Sequence, residues 1–149
     1  MTQTVQRILC PVDFSEPSGQ ALDYAVTLAS TLGAELHLLH AYQLPVYALP
    51  DGALIPSAEL AASVSSEAQE ALDGLVNDRI PDGVVAHPHL TEGAPYLEVE
   101  RLVKELDIDL VVMGTHGRTG FARLLMGSVA ERVIRTCPVP VLSVPAEKP

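Results

Sequence analysis

Short apolar runs alternate with helical stretches along nearly the whole chain, and this alternation restricts the possible folds more than any other feature. Arg7-Ile8-Leu9-Cys10-Pro11-Val12 reads as a buried strand. Asp13 to Ser18 reads as a turn and helix start, with Ser15 placed to cap and Pro17 in a first turn, where proline is tolerated. Ala21, Leu22, Ala25, Val26, Ala29 and Leu32 then share one helical face, and Gly33 follows as a C-cap. Glu35 to Ala41 is the second strand, and Ser57 to Arg79 a long helix rich in alanine and polar residues. Val84 to Thr91 reads as the third strand. Gly93-Ala94-Pro95 turns into a helix that buries Tyr96, Val99, Leu102, Val103 and Leu106. Asp109 to Met113 is the fourth strand, Ser128 to Arg135 the fourth helix and Val139 to Val144 the fifth strand. Pro138 and Pro140 mark that last strand as an edge. Residues 42–56 form the one irregular segment, a lid or loop.

Strands that alternate with helices need crossover connections, and crossovers give a parallel sheet covered on both faces. The expected architecture is α/β: one Rossmann-like doubly wound domain over residues 1–149, with a five-stranded parallel sheet in the order 3-2-1-4-5 and four helices. A chain of 149 residues with 48% hydrophobic residues can fill one core and is not disordered. Its formal charge of -10 opposes nucleic-acid backbones and anionic membranes, so neither is expected as a partner. No apolar run reaches the roughly 20 residues of a spanning helix, and Met1 to Arg7 lacks the pattern of a signal peptide. Cys10 and Cys137, far apart and without a CxxC motif, suit a reduced cytoplasmic protein with two buried thiols.

In doubly wound folds ligands bind beyond the carboxyl ends of the strands. That directs attention to Pro11–Ser15, Ala41–Gln43, Thr91–Gly93 and the segment after Met113. The last of these is the most informative. Glycines at 114, 117, 120 and 127 follow a buried strand, and a helix starts at Gly127-Ser128. Missing Cβ atoms let backbone N–H groups approach an anion, and the helix N-terminus adds unpaired donors. Residues 114–137 carry Arg118, Arg123, Arg132 and Arg135 against the single acid Glu131, a basic island in an acidic chain. Together these features describe a phosphate cradle; a surface loop with solvated arginines is the alternative. The Walker GxxxxGK[ST] is absent, and no GxGxxG follows the first strand, so neither P-loop nor dinucleotide chemistry is expected. Nor is there a GxSxG elbow. His87 and His89, two apart on a strand, share a face to which His37 can add, but no third metal ligand is fixed by sequence and no metal site is expected.

The spacing Gly114-x2-Gly117-x9-Gly127-Ser128 resembles the nucleotide-binding signature of the universal stress protein family. Ile8 to Ser15 is similar to that family's first strand and turn, and Cys137 to Val144 to its last strand. Because every glycine position of the signature is kept, the resemblance is to the members that bind ATP. It implies ATP, or AMP or ADP, as ligand, with magnesium as a potential companion. By position, Asp13 would contact the ribose or base, Pro11 and Val12 would line the base pocket, and Ala41 would offer backbone groups to adenine. Met113 and Gly114 would border the ribose. Gly117, Gly127, Ser128 and Val129 would hold the phosphates, with the Gly127 N–H facing them, and His116 and Arg118 would reach them from the loop. For Asp13 a local turn or helix-capping role is the competing reading. The resemblance further implies a stress-response protein that binds its nucleotide as a signal or structural ligand, and a homodimer paired through the last strand. A slow magnesium-dependent ATPase or autophosphorylating enzyme, or a nucleotide-gated regulator of an unnamed client, are the alternatives.

Overall fold

The computed structural model describes residues 4–44, 47–52, 54–55, 58–115 and 127–146. The strands are β1 (Arg7–Pro11), β2 (Glu35–Tyr42), β3 (Tyr47–Ala48), β4 (Leu54–Ile55), β5 (Ala86–Glu92), β6 (Leu110–Gly114) and β7 (Val141–Val144). The helices are α1 (Glu16–Leu32), α2 (Ala58–Arg79), α3 (Pro95–Glu105) and α4 (Ser128–Thr136). The main sheet runs β5-β2-β1-β6-β7, all parallel, which is the expected order 3-2-1-4-5 in chain sequence. Segment 42–56 is not wholly irregular, because β3 and β4 pair antiparallel as a separate two-stranded sheet.

The alternation of strand side chains divides the core into two layers. Ile8, Cys10, Leu36, Leu38 and Val112 point to the face covered by α1 and α2, where Leu22, Ala25, Ala29 and Leu72 meet them. Leu9, Leu39, Val111 and Met113 point to the opposite face, against Val99, Leu102 and Val103 of α3 and Ala130 and Val133 of α4. Tyr96 and Leu106, expected to be buried, are only partly so, and Leu106 is the C-cap of α3 rather than part of it. The start of α1 follows from its sequence: Ser15 accepts the Ser18 N–H, a proline sits in the first turn, and Gly33 closes the helix at φ 66°. Asp109 fastens the start of β1, its Oδ2 accepting the N–H groups of Gln6 and Arg7 at 2.8 and 3.0 Å. Arg79, ending α2, donates to Asp23 of α1 at 2.8 Å.

β5 begins at Ala86 rather than Val84 and contains Pro88. The Leu36 N–H donates to the Val85 carbonyl and the Gly93 N–H to the Tyr42 carbonyl, so odd-numbered residues of β5 turn their backbone toward β2. Pro88 therefore faces away from β2, on the outer edge, where its missing N–H breaks no rung. Among the described residues no helix is long and apolar enough to cross a membrane. Cys10 is buried and Cys137 half-buried, both free thiols, and burial pushes the Cys10 thiol up to about 12.

Candidate functional site

A proline opens the crevice. The Arg7 carbonyl accepts the Asp109 N–H, so the odd-numbered residues of β1 turn toward β6. Leu9 still pairs with Val111, but the next rung needs an N–H from residue 11, and Pro11 has none. The two central strands separate beyond that point, at the switch of strand order, and leave a cavity of about 220 Å³ at their carboxyl ends. Pro11, Val12 and Asp13 line one side, and Met113, Gly114 and Thr115 the other. Leu39 and Ala41 of β2 and Ser18 of α1 extend the first wall; Pro95 and Val99 of α3 close the cavity on the far side. Gly127, Ser128, Val129 and Ala130 bring the first turn of α4 to its rim.

The turn after β1 is built from short-range contacts. Asp13 Oδ1 accepts the Ser15 N–H at 3.0 Å and also the Ser15 hydroxyl, while the Asp13 N–H donates to Ser18 Oγ at 3.0 Å. The local-turn reading of Asp13 is thus correct for one carboxylate oxygen, the helix cap being Ser15, and Asp13 also lines the cavity. Phe14 takes a φ of 64°, which side-chain-bearing residues rarely adopt, and its ring lies 4.4 Å from that of His40. His40 Nδ1 donates to the Val12 carbonyl at 2.8 Å, pinning β2 to the strained turn.

Three helices start around the crevice: α1, α3 and α4. The N-cap positions of α3 and α4, Ala94 and Gly127, make no side-chain capping bond. In α4 the first intrahelical bond is the Glu131 N–H to the Gly127 carbonyl, which leaves the N–H groups of Ser128, Val129 and Ala130 as the donors of the first turn. The Gly127 N–H does not face the cavity as the spacing suggests, because it donates to the Thr115 carbonyl. The first turn of α4 is therefore tied to the end of β6, and its positive dipole end is aimed at the opening. Arg132 sits 4.5 Å from the centre of the Tyr96 ring, joining α4 to α3. Glu98 of α3 is held below the usual carboxylate range by its hydrogen bonds from Arg101. Asp13 is the only ionisable side chain on the cavity wall among the described residues.

Of the residues singled out by sequence, Pro11, Val12, Asp13, Ala41, Met113, Gly114, Gly127, Ser128 and Val129 come together around this cavity. His116, Gly117 and Arg118 lie outside the described residues. Six lining residues were not anticipated as such: Ser18, Leu39, Pro95, Val99, Thr115 and Ala130. Leu39 and Val99 carry the ordinary signal of core residues, so only the parting of β1 and β6 exposes their role. Pro95 could have been found as the first residue of a helix beginning at a strand's carboxyl end.

The profile of the Universal stress protein family matches residues 4–145. Universal stress protein MJ0531 of Methanocaldococcus jannaschii is 36% identical over 145 residues, covering 96% of this chain and 84% of that protein. The solved structure of MJ0577, from the same organism, superposes with a TM-score of 0.82 at 24% identity, covering 99% of this chain and 100% of that one. A universal stress protein solved in complex with cAMP aligns with a TM-score of 0.64 at 26% identity, covering 95% and 98%.

Proposed function

The chain belongs to the universal stress protein family, and from that premise we propose that its crevice binds ATP, or the related AMP or ADP, as a signalling or structural ligand in a stress response. The observation that carries this reading is the cavity itself. It lies at the strand-order switch, apolar toward Pro11, Val12 and Val99, with the uncapped N-terminus of α4 at its rim. An apolar slot beside a set of anion donors suits a base joined to phosphates. The solved relative in complex with cAMP supports an adenine ligand. In the proposed pose the base lies between Val12 and the backbone of Ala41, the ribose near Asp13 and Gly114, and the phosphates at Ser128 and Val129, with Gly117, His116 and Arg118 reaching them from the loop.

The reading includes binding without efficient turnover. The single ionisable group on the described wall, Asp13, already shares an oxygen with Ser15, which leaves it poorly suited to act as a general base. A magnesium ion accompanying the triphosphate would need oxygen ligands, and Asp13 is the carboxylate that the described lining offers. The free thiols of Cys10 and Cys137 suit a reducing, cytoplasmic setting.

Calorimetric titration with ATP and GTP, each with and without Mg²⁺, tests the reading. ATP should bind more tightly, because guanine reverses the donor and acceptor edge that adenine presents to fixed backbone groups. Each unpaired buried group costs roughly 1–3 kcal/mol, or about five- to a hundredfold in affinity. Equal affinity for the two nucleotides, or no binding of either, overturns it.

A further inference from the structure

At the amino ends of β2 and β5, the end of the sheet opposite the crevice, three histidines and a glutamate converge. The parallel register sets His37 across from His87 and Leu39 across from His89. Side chains at 35, 37, 87 and 89 therefore project from one face of the sheet. The His37 ring stacks between the other two, its centroid 4.8 Å from that of His87 and 5.2 Å from that of His89. His37 Nδ1 lies 2.9 Å from His89 Nε2. The other nitrogen of the same ring, Nε2, is buried and has no hydrogen-bond partner among the described residues, and only 8% of the side chain is exposed. A polar nitrogen so placed is costly unless something pairs with it. It lies 3.8 Å from Glu35 Oε2, and His87 Nε2 lies 3.9 Å from the same oxygen. The three ligand atoms all fall within 4.8 Å of one another.

We propose that Glu35, His37 and His87 form a binding site for a divalent transition-metal ion of the zinc class, with His89 holding His37 in its ligating tautomer. Two imidazoles and one carboxylate favour borderline ions such as Zn²⁺ or Co²⁺ over Mg²⁺ or Ca²⁺, which prefer oxygen. Bonds of about 2.0–2.2 Å require ligand atoms about 3.3–3.5 Å apart in a tetrahedron, so the cluster has to contract by roughly an ångström. Glu35 and His87 can make that movement, since 48% and 44% of their side chains are exposed. The same exposure supplies an entry path and leaves the fourth position to water. His37 need not move. In the tautomer in which His37 donates its Nδ1–H to His89 Nε2, its Nε2 presents a bare lone pair, the outer-sphere arrangement common to metal-bound histidine. Burial, with His89 and His87 beside it, pushes the His37 imidazole down to about 4, so it is neutral at neutral pH, as a ligand must be. The cations facing the cluster are Arg7, whose Nε is 3.8 Å from Glu35 Oε2, and Arg101, which acts on His89. Arg7 is itself 42% exposed and can yield the oxygen it shares.

The test uses the full chain free of any histidine tag. Titration with Zn²⁺ should show one ion per chain, and Co²⁺ should give the visible absorption of a tetrahedral site. Zinc at about a hundredfold over Kd should raise Tm by about 5–10 °C, since only the folded chain holds the ligands together. His87→Ala and Glu35→Gln change half-exposed side chains, so both variants should fold; each should weaken Zn²⁺ binding at least about tenfold. His89→Phe, which removes the orienting partner, should weaken it about ten- to a hundredfold. ATP titrations of the same variants should match the parent chain, so the site and the proposed crevice ligand stand or fall separately. Absence of saturable one-to-one binding, or full-strength binding in both His87→Ala and Glu35→Gln, overturns the proposal.

Discussion

Ser128 is exposed at the start of α4, so its hydroxyl has no structural task in the core and can be removed without disturbing packing. Ser128→Ala should lose one hydrogen bond to a charged acceptor, roughly 1.5–3 kcal/mol, or about ten- to a hundredfold in ATP affinity. Circular dichroism should not change, and wild-type affinity in a calorimetric titration would remove Ser128 from the phosphate site. Gly127 supports a different expectation from the one its spacing suggests, since its N–H is spent on Thr115 and its contribution is to seat the helix rather than to donate. Which N–H a glycine offers depends on the strand it returns to, and sequence cannot show that. Asp13 was legible as both a turn and a lining residue because its position at a strand's end permits both. The third metal-ligand candidate was not legible. Glu35 and His87 are brought together only by the β2–β5 register, which periodicity leaves open by any even number of residues.

At the scale of elements, strand and helix order could be read because each element keeps one period, and the crossovers then leave few topologies. The boundaries moved where backbone hydrogen bonds decide them: β5 starts late, and β7 starts only after Pro140. The Pro11 break that opens the crevice was also hidden, because a proline at a strand's end looks the same whether it faces a partner or not. Helix α2 has a mostly polar surface; Ala68 and Leu72 are its buried residues among those described, with Leu75 and Val76 partly buried beside them. Leu72→Ala should therefore cost about 2–5 kcal/mol, measurable by urea denaturation, and a loss under about 1 kcal/mol would mean that α2 is held by its ends. Helix α3 depends on charge as well. Glu98 is 13% exposed in its side chain and bonded by Arg101, which holds its carboxyl below the ordinary value of 4.5. A carboxylate depressed on folding stabilises fully above its unfolded value and loses that contribution as pH falls through the folded one. The stability gap between the parent chain and Glu98→Gln should then be widest near neutrality and close below about pH 4; a gap independent of pH would contradict the assignment.

For the whole molecule, the two edges of the sheet are unequal, and the difference bears on assembly. On β5 the outward positions include Pro88, which offers no N–H to an incoming strand. On β7 the Pro140 and Val144 carbonyls accept from Val111 and Thr115, so even-numbered residues face β6, and Val141 and Ser143 turn their backbone groups outward. Both of those have an N–H to give. The strand is apolar, and all four of its residues are only partly buried, with Leu142 and Val144 leaning on one core layer and Val141 on the other. An apolar edge of this kind, left open by the described residues, invites pairing, and a two-fold axis through it would set β7 antiparallel to its copy. The chain should therefore sediment as a homodimer at tens of micromolar, a rough working range for complexes of moderate affinity. Ser143→Pro makes the test specific to the edge. The substitution deletes an outward donor, leaves every rung to β6 in place, and requires only the extended backbone the strand already has. The variant should sediment as a monomer, with circular dichroism unchanged and zinc and ATP titrations still measurable on the separated chains. A parent chain that is monomeric at these concentrations, or a Ser143→Pro variant that remains dimeric, would show that the two-fold axis does not pass through β7.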